Sequence, residues 1–155
     1  MISLRTRKYT NFILNFENHQ RVIDWKIQSK KETKGLPADI YLELSQTVSK
    51  YFAGFDILTV PAPSFHKYSN YPVWEIAKDL SLNIGIELIK LFPNPSGKTK
   101  MHTFSSAGKE VQDVKCDPGK FVLILDDIYT TGHTMRVTCE AIIRKGSFPC
   151  GLAIA

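Results

Sequence analysis

The chain has little sulfur chemistry to offer. Its cysteines are Cys116, Cys139 and Cys150, an odd number with no C-x-x-C spacing. That argues against a disulfide framework or a cysteine-held zinc ion and favours reduced thiols in the cytoplasm. No apolar stretch is long enough to span a bilayer, and the start, Met-Ile-Ser-Leu-Arg, lacks the apolar core of an export signal. Membrane insertion and secretion are therefore not expected. No repeat and no linker to a second domain is visible. His19 and His102 have no ligand partners at metal spacing, so no protein-only metal site is expected. What is present is 155 residues, 43% hydrophobic and 23% charged, which suits a single domain, 1–155, with a sizeable core.

Acidic residues are scarce in the first 34 positions. Glu17, Asp24 and Glu32 face Arg5, Arg7, Lys8, Arg21, Lys26, Lys30, Lys31 and Lys34, so this segment carries the whole net charge of +5. Basic residues 5–34 could attract a polyanion, nucleic acid included, or form a solvated face or a protected strand edge. No RNA-binding motif accompanies them, and Trp25 and Trp74 read as packing residues.

Residues 4–16 alternate in parts and predict a strand or hairpin. Val22, Ile23, Trp25 and Ile27 predict a second strand over 21–29. Pro37 followed by Ile40, Leu44, Val48 and Phe52 predicts a helix ending at Gly54. Strands are expected at 56–60, 86–92, 121–125 and 152–155. Helices are expected from Pro72, with Val73, Ile76, Ala77 and Leu80 on one face, and over 133–145. Strands alternating with helices predict an α/β fold with a mainly parallel sheet. Residues 93–118 read as a long polar loop.

The most informative stretch is 121–134, Phe-Val-Leu-Ile-Leu-Asp-Asp-Ile-Tyr-Thr-Thr-Gly-His-Thr. An apolar run ends in two adjacent carboxylates, and a short hydroxyl-rich loop then opens a helix. Asp126 and Asp127 thus stand at the carboxyl end of a buried strand, where open α/β sheets bind ligands. The loop offers free backbone N–H groups and a helix N-terminus, which suit a phosphate. Carboxylates for sugar hydroxyls beside amides for a phosphate describe a phosphorylated sugar.

Residues 122–134 resemble the 5-phosphoribosyl pyrophosphate (PRPP) signature of type I phosphoribosyltransferases. Asp-Asp-Ile-Tyr-Thr-Thr-Gly is similar to the ComF, competence-associated, class, though the N-terminal cysteine module common in that class is not seen here. The resemblance implies a type I phosphoribosyltransferase-like, Rossmann-like fold, with residues 1–35 as a small N-terminal hood on the core 36–155. It implies that Asp126 and Asp127 take the ribose hydroxyls. Thr130, Thr131, Gly132, His133 and Thr134 would wrap the 5′-phosphate, His133 through its backbone more than its ring. Tyr129 sits where most of the family has an aliphatic residue. Thr130 sits where the hypoxanthine-guanine enzymes carry an aspartate base.

Two further segments resemble family elements. The loop after strand 56–60 begins Val-Pro-Ala-Pro, like the ComF pyrophosphate loop, and implies Ser64, His66 and Lys67 as pyrophosphate contacts. Loop 93–118 stands where the family has a closing lid. Lys98, Lys100, His102 and Lys109 could supply its cations, Lys109 in the catalytic place of an arginine, with Ser105–Gly108 as a hinge; an inert surface loop is the alternative. Both segments are poorer in arginine than the family pattern. The implied activity is transfer of phosphoribosyl from PRPP, with Mg²⁺ bound mainly through PRPP, to a nucleobase-like nitrogen acceptor, in a protein that could be a homodimer. The alternative is a non-catalytic PRPP- or nucleotide-binding regulator or DNA-uptake accessory.

Overall fold

The computed structural model describes residues 1–32, 34–61, 71–92 and 114–155. Six strands form one sheet among them, in the order β1-β2-β6-β5-β3-β4. The chain opens with the expected hairpin, β1 (Ile2–Arg5) antiparallel to β2 (Thr10–Ile13). Thr6 closes its turn, its hydroxyl donating to the Tyr9 carbonyl at 2.7 Å. β2 then pairs in parallel with the last strand of the chain, Ile13 opposite Ala153. The first residues are therefore part of the main sheet.

The expected strand over 21–29 is instead a helix, α1 (His19–Ser29), entered through a short 3-10 turn at Phe16–Asn18. Asn15 caps that turn by accepting the Glu17 N–H at 3.1 Å. Such a cap commits the backbone to a helical turn. Val22 and Trp25, three apart, are both buried, while Ile27 points to solvent. The alternation in this segment is thus incidental, and the helical spacing is what packs. The Trp25 indole donates to the Lys34 carbonyl at 3.0 Å and pins the turn that follows.

α2 (Ala38–Tyr51) begins after Pro37 and buries Ile40, Leu44 and Val48, as the spacing predicts. β3 is Ile57–Thr59, and α3 (Pro72–Ile84) starts with its proline in the first turn and ends at Gly85, φ 83°. The strand expected over 86–92 is only β4, Glu87–Leu88. It lies at the sheet edge with β3 as its sole neighbour in the sheet order. Leu91 and Phe92 leave the sheet to enter the core. β5 (Phe121–Asp126), α4 (His133–Arg144) and β6 (Phe148–Ala153) complete the fold.

β6 starts four residues earlier than expected, at Phe148, and runs through Pro149 and Gly151. Pro149 is tolerated for a geometric reason. The Phe148 N–H already bonds toward β5, through the Lys120 carbonyl at 2.8 Å, and pairing with β2 begins only at Cys150. The missing N–H of Pro149 therefore faces no strand. Past Ala153, Ile154 and Ala155 still donate to the Asp126 and Asp127 carbonyls, each at 3.0 Å.

β2, β6, β5, β3 and β4 run parallel. Their two faces are both covered, which is why β5 reads as a continuous apolar run. Leu123 and Leu125 face a core built with α1, α2 and α3, whereas Val122 and Ile124 face the core under α4. The result is an α/β fold: a mainly parallel sheet flanked by helices.

Gly151 holds the second core together. A Cβ there would collide with the Asn11 side chain and the Met135 thioether, both buried. Gly151→Ala should therefore cost about 1–3 kcal/mol by overpacking, read as a lower urea midpoint at unchanged m-value. Wild-type stability in that variant would contradict the packing described.

Candidate functional site

The connections place a crevice at one point of the sheet. From β3 the chain passes through α3 outward to β4; from β5 it passes through α4 in the other direction to β6, on the opposite face. β3 and β5 are neighbours, and the helices that follow them in the chain, α3 and α4, lie on opposite faces. This is the topological switch point at which open α/β sheets bind ligands.

Asp126 is the last residue of β5 and Asp127 follows it. Both are buried, at 9% and 3% exposure. One Asp126 oxygen accepts the Asp127 N–H at 2.9 Å, and one Asp127 oxygen accepts the Ile128 N–H at 2.7 Å. These bonds fix both carboxylates at the sheet edge. Burial, and secondarily the adjacent Asp127 charge, push the Asp126 carboxyl up to about 7; the Asp127 N–H and Lys26 pull the other way.

The loop turns sharply into α4. Tyr129 donates its N–H to the Ala155 carbonyl at 2.7 Å, tying the loop to the end of β6. Gly132 caps α4 in the left-handed region, φ 73°. A Cβ at this position would also strike the Tyr129 ring and hydroxyl. Two independent reasons, backbone angle and the Tyr129 ring, thus require glycine here. Thr130, Thr131 and Thr134 are exposed around it. The His133 N–H reaches Thr131 Oγ1 at 3.4 Å, a long contact that an incoming anion could replace. The His133 ring is turned aside: Nδ1 lies 3.2 Å from the Arg136 guanidinium, and buried Nε2 has no partner among the described residues.

The structure thus brings Asp126, Asp127, Thr130, Thr131, Gly132, His133 and Thr134 into one strand-loop-helix corner. Ser64, His66 and Lys67, and the loop residues Lys98, Lys100, His102 and Lys109, lie outside the described residues.

One site residue was not foreseen. Lys26 of α1 places its ammonium 2.7 Å from Asp127 Oδ2 and 3.0 Å from Oδ1. Beside this ion pair opens a cavity of about 580 Å³, lined by Lys26, Lys30, Lys34, Tyr41, Tyr71 and Asp127 among others. That volume is in the range of small-molecule pockets. Its walls come from α1, the turn after it, α2 and α3. Nothing in the sequence pairs position 26 with position 127; reading α1 as a helix, with Lys26 one turn beyond buried Val22, would have been the available signal.

No protein-family model matches the chain, and no curated protein matches its sequence. Two solved structures are similar to it. One is a hypoxanthine phosphoribosyltransferase from Staphylococcus aureus, with a TM-score of 0.45 and 18% identity, the match covering 74% of this chain and 59% of that one. The other is an adenine phosphoribosyltransferase from Saccharomyces cerevisiae, solved with adenine and an imino-altritol bisphosphate. Its TM-score is 0.46 and its identity 15%, the match covering 76% of this chain and 70% of that one. This chain therefore spans well under two thirds of the length of the first.

The buried Asp126 has a consequence for stability. Its folded-state pKa lies above that of an unfolded aspartate, near 4, so between these values the unfolded chain binds fewer protons. Stability should then fall as pH rises from about 4 to about 7 and level off above. Asp126→Asn removes that dependence and should be more stable than wild type at pH 8, by on the order of 1–3 kcal/mol, but not at pH 4. Parallel pH–stability curves for the two proteins would contradict the burial effect.

Proposed function

We propose that this corner binds 5-phosphoribosyl pyrophosphate and that the protein is a phosphoribosyltransferase of the type I kind. It would transfer the 5-phosphoribosyl group to a nitrogen of a nucleobase-like acceptor with release of pyrophosphate. The observation that carries this reading is the corner itself. Two fixed carboxylates end β5 at the switch point, and within seven residues the left-handed Gly132 turns the backbone into the N-terminus of α4. Asp126 and Asp127 take the ribose diol; the amides and hydroxyls of Thr130–Thr134 take the 5′-phosphate. The bond from ribose C1 to the pyrophosphate oxygen loosens first, and its electron pair leaves with pyrophosphate. The acceptor nitrogen then donates its lone pair to C1 and loses its proton to solvent or to the leaving group. The chain's contribution is orientation, charge placement and exclusion of water.

Mg²⁺ belongs to this reading as a companion of the substrate. The described donor set fits that role better than a resident ion, since Lys26 already occupies one of the two carboxylates. The pyrophosphate oxygens and water would hold the ion, which would neutralise charge on the leaving group. Ser64, His66, Lys67 and Lys109 complete the proposal as pyrophosphate and lid contacts. Within residues 1–35, α1 is the part that acts as a hood, which the reach of Lys26 to Asp127 supports, while β1 and β2 belong to the sheet. We place the protein in the cytoplasm. Cys139 and Cys150, free and buried, suit a reducing compartment.

Incubating the protein with PRPP, Mg²⁺ and a panel of purines and pyrimidines should release pyrophosphate with at least one base. Replacing Asp126 and Asp127 together by Asn should weaken PRPP binding at least a hundredfold, about 2.7 kcal/mol, while the thermal transition stays cooperative. PRPP affinity unchanged in that variant would sink the ribose assignment.

A second reading is favoured by one observation. Arg5, Arg7 and Lys8 stand exposed on β1 and its turn, and the loops are poor in arginine. A ComF-like protein that binds PRPP or a nucleotide without transfer, and contacts nucleic acid through this edge, has the same corner. It predicts PRPP binding without pyrophosphate release, and DNA retention at low salt that is lost when Arg5, Arg7 and Lys8 become Gln. Salt-independent or absent retention would remove it.

A further inference from the structure

We infer that Lys26 is the positioning residue of the sugar site: through its two-oxygen contact it makes Asp127 the ionised, hydroxyl-accepting member of the Asp126–Asp127 pair. The inference rests on the ribose-diol reading of that pair.

The geometry is specific. Lys26 lies on α1, whose Val22 and Trp25 are locked in the core, so its Cα is fixed relative to the sheet. Its side chain is 42% exposed, whereas that of Asp127 is 5% exposed. The ammonium thus comes from the solvent side and stops at a carboxylate that solvent barely reaches. A half-exposed lysine has many water-facing rotamers; one at 2.7 Å and 3.0 Å from both oxygens is held by charge. Among the described residues Asp127 Oδ1 has two donors, Lys26 and the Ile128 N–H, whereas Oδ2 has only Lys26. A carboxylate oxygen can accept two hydrogen bonds. Oδ2 therefore keeps one acceptor position for a sugar hydroxyl without displacing the lysine.

The neighbouring charges leave Lys26 as the contact that decides which acid is charged. Asp126, from β5, is a like charge, and burial raises its pKa. The cavity side contributes Lys30, Lys31, Lys34 and Glu32 after α1, and Glu75 and Asp79 from α3. Glu75 is engaged by Lys78 at 3.1 Å. From the α4 side, His133 and Arg136 contact each other. Lys26 is the cation whose contact with the pair is within salt-bridge distance among the described residues. Two adjacent buried acids cannot both ionise cheaply; the ammonium touches Asp127 and not Asp126, so its attraction favours the charge on the acid it touches. Without it the pair holds its proton to higher pH and both acids compete for it.

The test is the pH profile of ribose 5-phosphate binding to wild type, Lys26→Met and Lys26→Arg, by calorimetry from pH 5 to 9. Titration of the ligand's phosphate is common to all three proteins and cancels in the comparison. Wild type should retain affinity toward the acid end of the range. Lys26→Met should lose at least tenfold at pH 6, with its midpoint moved up by one pH unit or more, and Lys26→Arg should restore most of both. A merely structural lysine would lower affinity equally at every pH. That result, or tighter binding by Lys26→Met throughout, would overturn the assignment while leaving the sugar site standing. If wild type itself does not bind ribose 5-phosphate, the sugar site and the role of Lys26 fall together. Lys26→Gln, which keeps a donor without the charge, serves as the variant of record should Lys26→Met melt early; it should show the same upward shift.

Discussion

β5 is paired along both edges and covered on both faces, so a charged side chain can stand in it only where the sheet ends. That constraint sets everything at the candidate site. Leu123 and Leu125 are committed to one core and Val122 and Ile124 to the other, each at 0% exposure. The next two positions emerge together at the carboxyl edge as Asp126 and Asp127. Their distance from the loop that could hold a phosphate is then fixed by a chain of seven residues ending at the first turn of α4. Moving the apolar run by one residue would place a carboxylate between two layers of aliphatic side chains, at a cost of several kcal/mol.

The acids stay in place because the chain supplies each with a donor from its own backbone. Asp127 N–H serves Asp126 and Ile128 N–H serves Asp127. This arrangement holds the pair rigid but does not neutralise it. Neutralisation comes from α1, an element 101 residues away in sequence. The N-terminal segment thus does two jobs: its hairpin extends the sheet past β6, and its helix lays a cation over the site. The stability lost by burying Asp126 near a second acid is a local conflict of the sort found where binding, not folding, has set the residue.

Local, contiguous features were legible in the sequence. The strand, two acids, glycine and helix of 121–144 announce themselves because each signal lies next to the one that depends on it. α2 and α3 were legible through Pro37 and Pro72 and clean helical spacing. Long-range effects were not. The segment at 21–29 contains apolar residues that satisfy two periods at once, and only packing of Val22 and Trp25 against the core decides for a helix. β6 contains Pro149 and Gly151, both poor strand formers. One is harmless because no strand faces its nitrogen, and the other is needed because Asn11 and Met135 crowd its α-carbon. Lys26 was visible only as part of a diffuse basic excess, since its partner is fixed by the sheet order and not by spacing.

The central claim is that the β5–α4 corner is a sugar-phosphate site with divided labour. The most direct measurement is a crystal structure with ribose 5-phosphate bound. The account predicts the phosphate against the amides of residues 130–134, and the ribose 2′- and 3′-hydroxyls within hydrogen-bond reach of Asp126 and Asp127, with Lys26 still on Asp127. A ligand bound elsewhere, or bound with its phosphate on Lys30 and Lys34 and its diol facing solvent, would contradict it.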